Sequence, residues 1–293
     1  MHEILRNLPP GARVLDLGCG GGSFGSADSA FVVVPVDLEP RTNPPPNLVQ
    51  ADAAKLPFTS ASFDAIISNH SLEHFDNLEG AIVEIGRVLK PAGALYIAVP
   101  DASTITDKIY RWVARGGGHV NPFVSASELA SKIARATGSK HVGTRTLCTS
   151  LAFLNRKNHT GLAFSAEHWA PKRSLLLGGG TELSLWGINY LWRMCDRFFG
   201  TRLSVYGWCF YFGTIGEAID GHVWTNVCIR CGGGASSFWL TREKLVTGRW
   251  LPRRYRCPVC GTPNLFTDDR WYPHLDFPAI VATAERGRSY SAT

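Results

Sequence analysis

The sequence predicts an α/β protein: a doubly wound, mostly parallel sheet with helices on both faces, followed by a small cysteine-pinned domain. Three observations carry this. Apolar runs of strand length recur over the first hundred residues without polar alternation, as strands buried on both faces require. Helical periodicity fills the space between the last two of them, as a crossover connection does. Four of the eight cysteines then fall in two Cys-x-x-Cys pairs beyond residue 227.

The strand candidates are "RVLDL" (13–17), "FVVVPVD" (31–37), "NLVQAD" (47–52), "FDAIISN" (63–69) and "ALYIAVP" (94–100). In "LEGAIVEIGRVLK" the residues Leu78, Ile82, Ile85 and Leu89 share one helical stripe, and "KPAG" is expected to end the helix. Pro35 stands out in an interior strand, where a missing N–H costs a ladder bond. Further on, "SASELASKIARATG" (125–138) reads as a helix with a Ser cap and a closing Gly. "RTLCTSLAFLN" (145–155) and "LSVYGWCFYFG" (203–213) read as two more strands. The segment between them is too long for a hairpin loop and forms an insertion. Within it, "TELSLWGINYLWRMCDRFFG" (181–200) is helical and apolar over most of its circumference, as a buried, site-covering or partner-binding helix is.

Bulk properties narrow the function classes. The chain of 293 residues is 45% hydrophobic and 18% charged, which excludes wholesale disorder. A formal charge of +6 is compatible with an anionic partner without demanding one. The opening "MHEILRNLPPG" lacks a basic head followed by an apolar run, and no segment reads as a membrane span, so a cytoplasmic location is expected. Cys19, Cys148, Cys195 and Cys209 sit among apolar neighbours and read as buried thiols.

The stretch "DLGCGGGSFG" (16–25) holds five glycines in ten residues directly after the first strand. A phosphate-binding loop would need a Lys followed by Ser or Thr, and neither is present. A dinucleotide fingerprint on Gly20, Gly22 and Gly25 leaves Asp16–Gly18 unused and puts Asp37 too soon. The frame that uses the loop best is Asp16-x-Gly18-x-Gly20-x-Gly22. This frame resembles motif I of the class I S-adenosylmethionine-dependent methyltransferases, in the branch often called methyltransferase type 11. "VDLEP", "QADAAKLPFTSASFDAIISNHSLEHF" and "LEGAIVEIGRVLKPAGALYIAVPD" continue the resemblance in order, over Met1 to about Gly216.

The resemblance implies a Rossmann-like seven-stranded sheet with an antiparallel last strand. It implies a donor site made by Asp16, Gly18, Gly20 and Gly22 at the methionine end, Asp37 and Leu38 at the ribose, Asp52 and Ala53 at the purine, and Asn69. The chemistry agrees. S-adenosylmethionine carries no phosphates, needs close backbone approach at its amino-acid end, and offers two ribose hydroxyls to a carboxylate. A helix N-cap is the rival role for Asp37, and a turn aspartate the rival for Asp52.

Methyl transfer is an in-line displacement on an activated sulfonium, so positioning and water exclusion matter most. A base helps when the acceptor is a hydroxyl or a protonated amine. His70, His119 and His74 are the candidates, with Glu73 beside them and His168 in the insertion. His70, Glu73 and His74 also stand at i, i+3 and i+4, one face of a helical turn, which leaves a divalent ion as an alternative.

"CIRCGG" and "CPVCG" place Cys228, Cys231, Cys257 and Cys260 as two knuckles with 25 residues between them, the spacing of a structural Zn²⁺ site. The resemblance here is to a zinc ribbon. Its loop "TREKLVTGRWLPRRYR" (241–256) holds six basic residues against one acid, which suits a nucleic acid, a solvated hairpin or a docking surface.

The expected organisation is therefore a methyltransferase domain over 1–220 with a helical lid inserted at 155–201, a zinc ribbon over 221–278 and a tail over 279–293. The expected activity is in-line methyl transfer to an O or N atom, less readily C, of a small-molecule or glycan- or lipid-linked acceptor. Peripheral membrane contact would run through the aromatic insertion. An RNA-modifying or RNA-binding protein and a non-catalytic interaction protein are the alternatives.

Overall fold

The computed structural model describes residues 3–5, 7–20, 30–39, 44–113, 118–148, 181–215, 225–227, 234–248, 253–258, 261 and 263–269. The elements in chain order are β1 (Arg13–Leu17), β2 (Val32–Asp37), β3 (Val49–Gln50), β4 (Phe63–Asn69), α1 (Leu78–Val88), β5 (Leu89–Pro100), α2 (Ile105–Val113), α3 (Ala126–Thr137) and β6 (His141–Leu147). They continue with α4 (Thr181–Phe199), β7 (Gly207–Gly213), β8 (Asn226–Val227), β9 (Gly234–Ala235), α5 (Ser237–Arg242), β10 (Val246–Thr247), β11 (Arg254–Arg256) and β12 (Pro263–Leu265).

β1 to β7 form one sheet in the order β3-β2-β1-β4-β5-β7-β6. β1 to β5 run parallel, and β7 lies antiparallel between β5 and β6. The seven-stranded, mostly parallel sheet expected from the sequence is thus present. Its strands alternate between two cores with the period of two that extended chain imposes. Leu15, Leu17, Ile66, Leu95, Ile97, Val99, Phe210 and Phe212 pack with α1 and α3 on one face. Val14, Ala65, Ile67, Tyr96, Ala98, Cys209 and Tyr211 pack with Ile4 and Leu5 on the other.

Pro35 turns out to break no ladder. Val32 N–H bonds Ala12 and Gly18 N–H bonds Val36, so the even-numbered residues of β2 face β1 and Pro35 faces β3. β3 begins only opposite Val36, so no acceptor waits for the missing proton.

Several boundaries move for identifiable reasons. α1 ends at Val88, and Leu89 already pairs with Phe63 in β5. "KPAG" is therefore not a turn outside the sheet but a bulge within β5, where the register shifts and Lys90 Nζ reaches Asp64 at 2.6 Å. α3 keeps its expected ends: Ser125 caps Glu128 N–H, and Gly138 closes it at φ 67°. β6 begins at His141, four residues before the expected start, and ends at Leu147; 149–155 lies outside the described residues.

β7 begins at Gly207 rather than 203. The buried Asp196 carboxylate of α4 accepts the amides of Leu203 (2.7 Å) and Ser204 (2.9 Å), which a ladder would otherwise use. α4 is helical as expected, but its described part is not buried all round. Among its described side chains Arg193 and Asp196 are buried, while Leu191, Phe198 and Phe199 are exposed. Arg193 donates to Thr267 Oγ1 at 2.7 Å and to the Thr225 carbonyl, so one turn of this helix ties the sheet to the C-terminal strands. No helix among the described residues is long and apolar enough to cross a membrane.

The C-terminal strands form a two-stranded and a three-stranded antiparallel sheet joined through α5. Leu240, Tyr255 and Phe266 are their core, and Asp269 holds Thr225 Oγ1 and Ser237 N–H, both at 2.6 Å. Of the scattered thiols, Cys19, Cys148 and Cys209 are buried as expected and Cys195 is half-buried; burial pushes the Cys148 thiol up to about 12.

Candidate active site

The carboxyl ends of β1 to β4 share one edge of the sheet, the place where open α/β sheets bind ligands. Gly18 at the end of β1 adopts φ 69°, and Gly20 adopts φ 54°. Gly18 has a reason the sequence did not suggest. A Cβ there would stand 2.3 Å from Ser71 Cβ, so the missing side chain makes room for the loop after β4 rather than for a ligand. Ser71 is locked in turn, donating to the Leu17 carbonyl at 3.0 Å and sharing a hydrogen bond of 2.5 Å with Ser68. Gly22 lies outside the described residues, as do Gly21 and Gly25.

Asp37, at the end of β2, is followed by a bend over Leu38 and Glu39. Its Oδ2 accepts Gly20 N–H at 2.7 Å and its Oδ1 accepts Glu39 N–H at 3.2 Å. The carboxylate thereby fixes the glycine loop while standing half-exposed at the sheet edge. Leu38 beside it is 57% exposed, a surface an apolar ligand face can cover. β3 brings the next pair alongside: Ala51 N–H bonds the Asp37 carbonyl, and Gln50 Nε2 bonds the Leu38 carbonyl. Asp52 is exposed and takes Ala54 N–H at 2.8 Å in a local turn, so its turn role is present; Ala53 is buried. Asp16 is buried in β1 and Asn69 is exposed at the end of β4, opposite Ala98 in β5. The structure thus brings Gly18, Gly20, Asp37, Leu38, Asp52, Ala53 and Asn69 to one edge.

Directly after β4 the chain turns sharply. His70 adopts φ 54°, a left-handed conformation rare for a residue with a side chain. A short 3-10 turn (Leu72–His74) then presents Glu73 inward. The loop after α2 is stapled onto this turn, since Val120 and Asn121 N–H both bond the Glu73 carbonyl, at 2.8 and 3.1 Å. Asn121 Nδ2 adds bonds to the Leu72 and Phe75 carbonyls.

Three histidines converge here with unequal surroundings. His119 is buried, stacks on Tyr110 at 4.5 Å, and its Nδ1 pairs with Asp107 Oδ1 at 3.1 Å. Burial acts to raise the Asp107 carboxyl, but the hydrogen bonds from His119 and Arg111 outweigh it and leave it below its ordinary range. His74 is partly exposed and its Nδ1 lies 3.0 Å from the Gly118 carbonyl. His70 is 28% exposed and packs on Tyr206; burial, then the His119 and His74 rings, hold it below its usual value, so it is neutral at physiological pH. Glu73 is almost fully buried, and burial, reinforced by the Asp107 charge, pushes its carboxyl up to about 8. The sequence put His70, Glu73 and His74 on one face; the structure adds His119 and, unanticipated, Asp107, Tyr110 and Arg111 from α2. The signal for α2 was there, because Thr104-x-x-Asp107 is a cap pattern and Thr104 Oγ1 accepts Asp107 N–H at 3.2 Å.

His168 lies outside the described residues, as do Cys228, Cys231 and Cys260. Cys257 is buried just after β11, and its carbonyl accepts Gly261 N–H at 2.9 Å, with Gly261 at φ 71°.

Residues 15–97 match the family described as "Methyltransferase domain". The chain is 32% identical over 137 residues to malonyl-[acyl-carrier protein] O-methyltransferase of Enterobacter lignolyticus, covering 43% of this chain and 55% of that protein. It is 33% identical over 147 residues to ubiquinone biosynthesis O-methyltransferase of Xanthomonas campestris pv. campestris, covering 42% and 60%. With "Probable tRNA methyltransferase 9B" of Mus musculus it shares 35% over 107 residues, 34% of this chain and 24% of that one. The chain therefore spans between about a quarter and three fifths of the relatives it matches. Among solved structures, Haemonchus contortus phosphoethanolamine N-methyltransferase 2 in complex with S-adenosyl-L-methionine overlays with TM-score 0.43 at 18% identity, over 73% of this chain and 50% of that one. Over residues 15–97, then, this chain is similar to methyltransferase domains, and no more of it matches that family.

Proposed function

We propose that the chain is an S-adenosylmethionine-dependent methyltransferase acting on a small-molecule or glycan- or lipid-linked acceptor at an O or N atom. The observation that carries this reading is the shared edge of β1 to β4, where Asp37 holds the glycine loop by Gly20 N–H and stands beside Leu38 and Asp52. Two of the relatives are named for O-methylation of a carrier-linked acid and in ubiquinone biosynthesis, which supports that class, while a third is named for tRNA and keeps RNA as the second reading.

In this reading the donor lies along the edge, with its ribose hydroxyls on Asp37 and its purine against Leu38 and Ala53. S-adenosylmethionine supplies the activated methyl group. His70, at the exposed rim, is neutral and accepts a hydrogen bond from the acceptor, which orients the attacking atom. His119 is too enclosed by Asp107, Tyr110 and His74 to meet an acceptor directly. Calorimetric titration of the full chain with S-adenosylmethionine is expected to show one-to-one binding. An absence of heat, with folded protein and a fluorescence titration equally silent, would overturn the reading.

The cysteine pairs hold a structural zinc through Cys228, Cys231, Cys257 and Cys260. Burial of Cys257 and the left-handed Gly261 returning its amide to the Cys257 carbonyl suit a metal knuckle. Metal analysis after dialysis should find one zinc equivalent fewer in Cys257→Ser than in the wild-type chain, while S-adenosylmethionine binding persists. Undiminished zinc in the variant would remove this assignment.

A further inference from the structure

The Glu73 carboxyl is a buried and incompletely satisfied polar group of the candidate site. Its side chain is 1% exposed, and Oε2 is buried without a hydrogen-bond partner. Its other oxygen lies 3.9 Å from His70 Nδ1 and 4.0 Å from His74 Nε2, beyond hydrogen-bond range. Neither the His70 nor the His74 imidazole therefore hydrogen-bonds the carboxyl. A buried carboxyl left this way costs free energy that a purely structural staple has no reason to spend.

The surroundings supply the missing component. Glu73, His74 and His119 each offer one ligand atom, and these atoms lie within 4.8 Å of one another. Both imidazoles have Nδ1 engaged, His74 on the Gly118 carbonyl and His119 on the Asp107 carboxylate. A carbonyl and an ionised carboxylate only accept, so each ring donates from Nδ1 and, when neutral, keeps its lone pair on Nε2. Outer partners of these two kinds are how metal-binding histidines are held in the right tautomer. The loops that carry the three ligands are already joined by the Val120 and Asn121 amides on Glu73, so closing on an ion needs only side-chain adjustment.

We propose that Glu73, His74 and His119 bind a divalent first-row transition ion. Two nitrogens and one carboxylate oxygen suit manganese, iron, cobalt, nickel or zinc better than magnesium or calcium, which favour oxygen ligands. Three protein ligands leave coordination positions for water or another ligand. The site is distinct from the cysteine pairs and stands on its own residues, whatever the donor.

The test uses the full chain with its cysteine site filled by zinc, titrated with Mn²⁺ and followed by calorimetry and by the electron-spin resonance of unbound Mn²⁺. One saturable Mn²⁺ per chain is expected. Asp107→Asn, which leaves the three ligands in place, should weaken binding by roughly tenfold to a hundredfold. Glu73→Gln and His74→Asn should weaken it at least as much; His74 is partly exposed, so that variant serves if the buried ones fail to fold. Failure of the wild-type chain to bind Mn²⁺ or Co²⁺, or undiminished binding in His74→Asn, overturns the proposal. S-adenosylmethionine binding measured on the same samples tells a failure of this site from a failure of the donor reading.

Discussion

Asp37→Ala is expected to weaken S-adenosylmethionine binding by more than roughly tenfold, since two charge-assisted hydrogen bonds to the ribose go with the carboxylate. The structure makes the effect larger than a contact deletion. Asp37 Oδ2 holds Gly20 N–H at 2.7 Å and Oδ1 holds Glu39 N–H at 3.2 Å, so the alanine variant also frees the glycine loop. Asp37→Asn separates the two effects. It retains one acceptor oxygen for the loop amide but loses the charge, so its affinity should fall between wild type and alanine. Calorimetry on the three proteins decides the matter, and equal affinities would exclude the ribose role.

Gly18→Ala is expected to destabilise the fold by roughly 3 kcal/mol. A left-handed conformation costs an alanine about 1–2 kcal/mol, and overpacking adds about 1–3 kcal/mol. Both apply, because Gly18 has φ 69° and its Cβ would lie 2.3 Å from Ser71 Cβ. Ser71 cannot step aside while it is bonded to the Leu17 carbonyl and to Ser68. For a domain of this size the Tm should fall by roughly 6–12 °C. Adding Ser71→Gly to Gly18→Ala should restore part of the loss, leaving the left-handed cost; a Tm unchanged by Gly18→Ala would contradict the packing described here.

Elements set by local chemistry were legible in the sequence. The apolar runs at 13–17 and 63–69 became β1 and β4, the stripe from Leu78 to Leu89 became α1 up to Val88, and Ser125 and Gly138 bounded α3 where capping and left-handed closure require. The family resemblance also pointed to Gly18, Gly20, Asp37 and Leu38, which the structure brings to one sheet edge. α4 was legible as a helix but not in what its polar residues meet. Apolar composition left a buried, a site-covering and a partner-binding helix open, and the partners of Arg193 and Asp196 come from Thr225, Thr267 and the 203–204 backbone, which no helical period contains.

The sequence by itself determined β1, β2, β4 and β5, the helices α1 and α3 and the residues available for chemistry, because backbone propensity, capping and hydrophobic period act within a few residues of chain. Tertiary structure alone decided what those residues face. Pro35 is harmless because β3 starts too late to need its proton, and Gly18 is small because Ser71 arrives from the loop after β4. Glu73 meets His119 because the loop after α2 donates its amides to the turn after β4. Each of these depends on a contact between segments distant in sequence, where register and close approach are set by packing the whole sheet rather than by any local pattern.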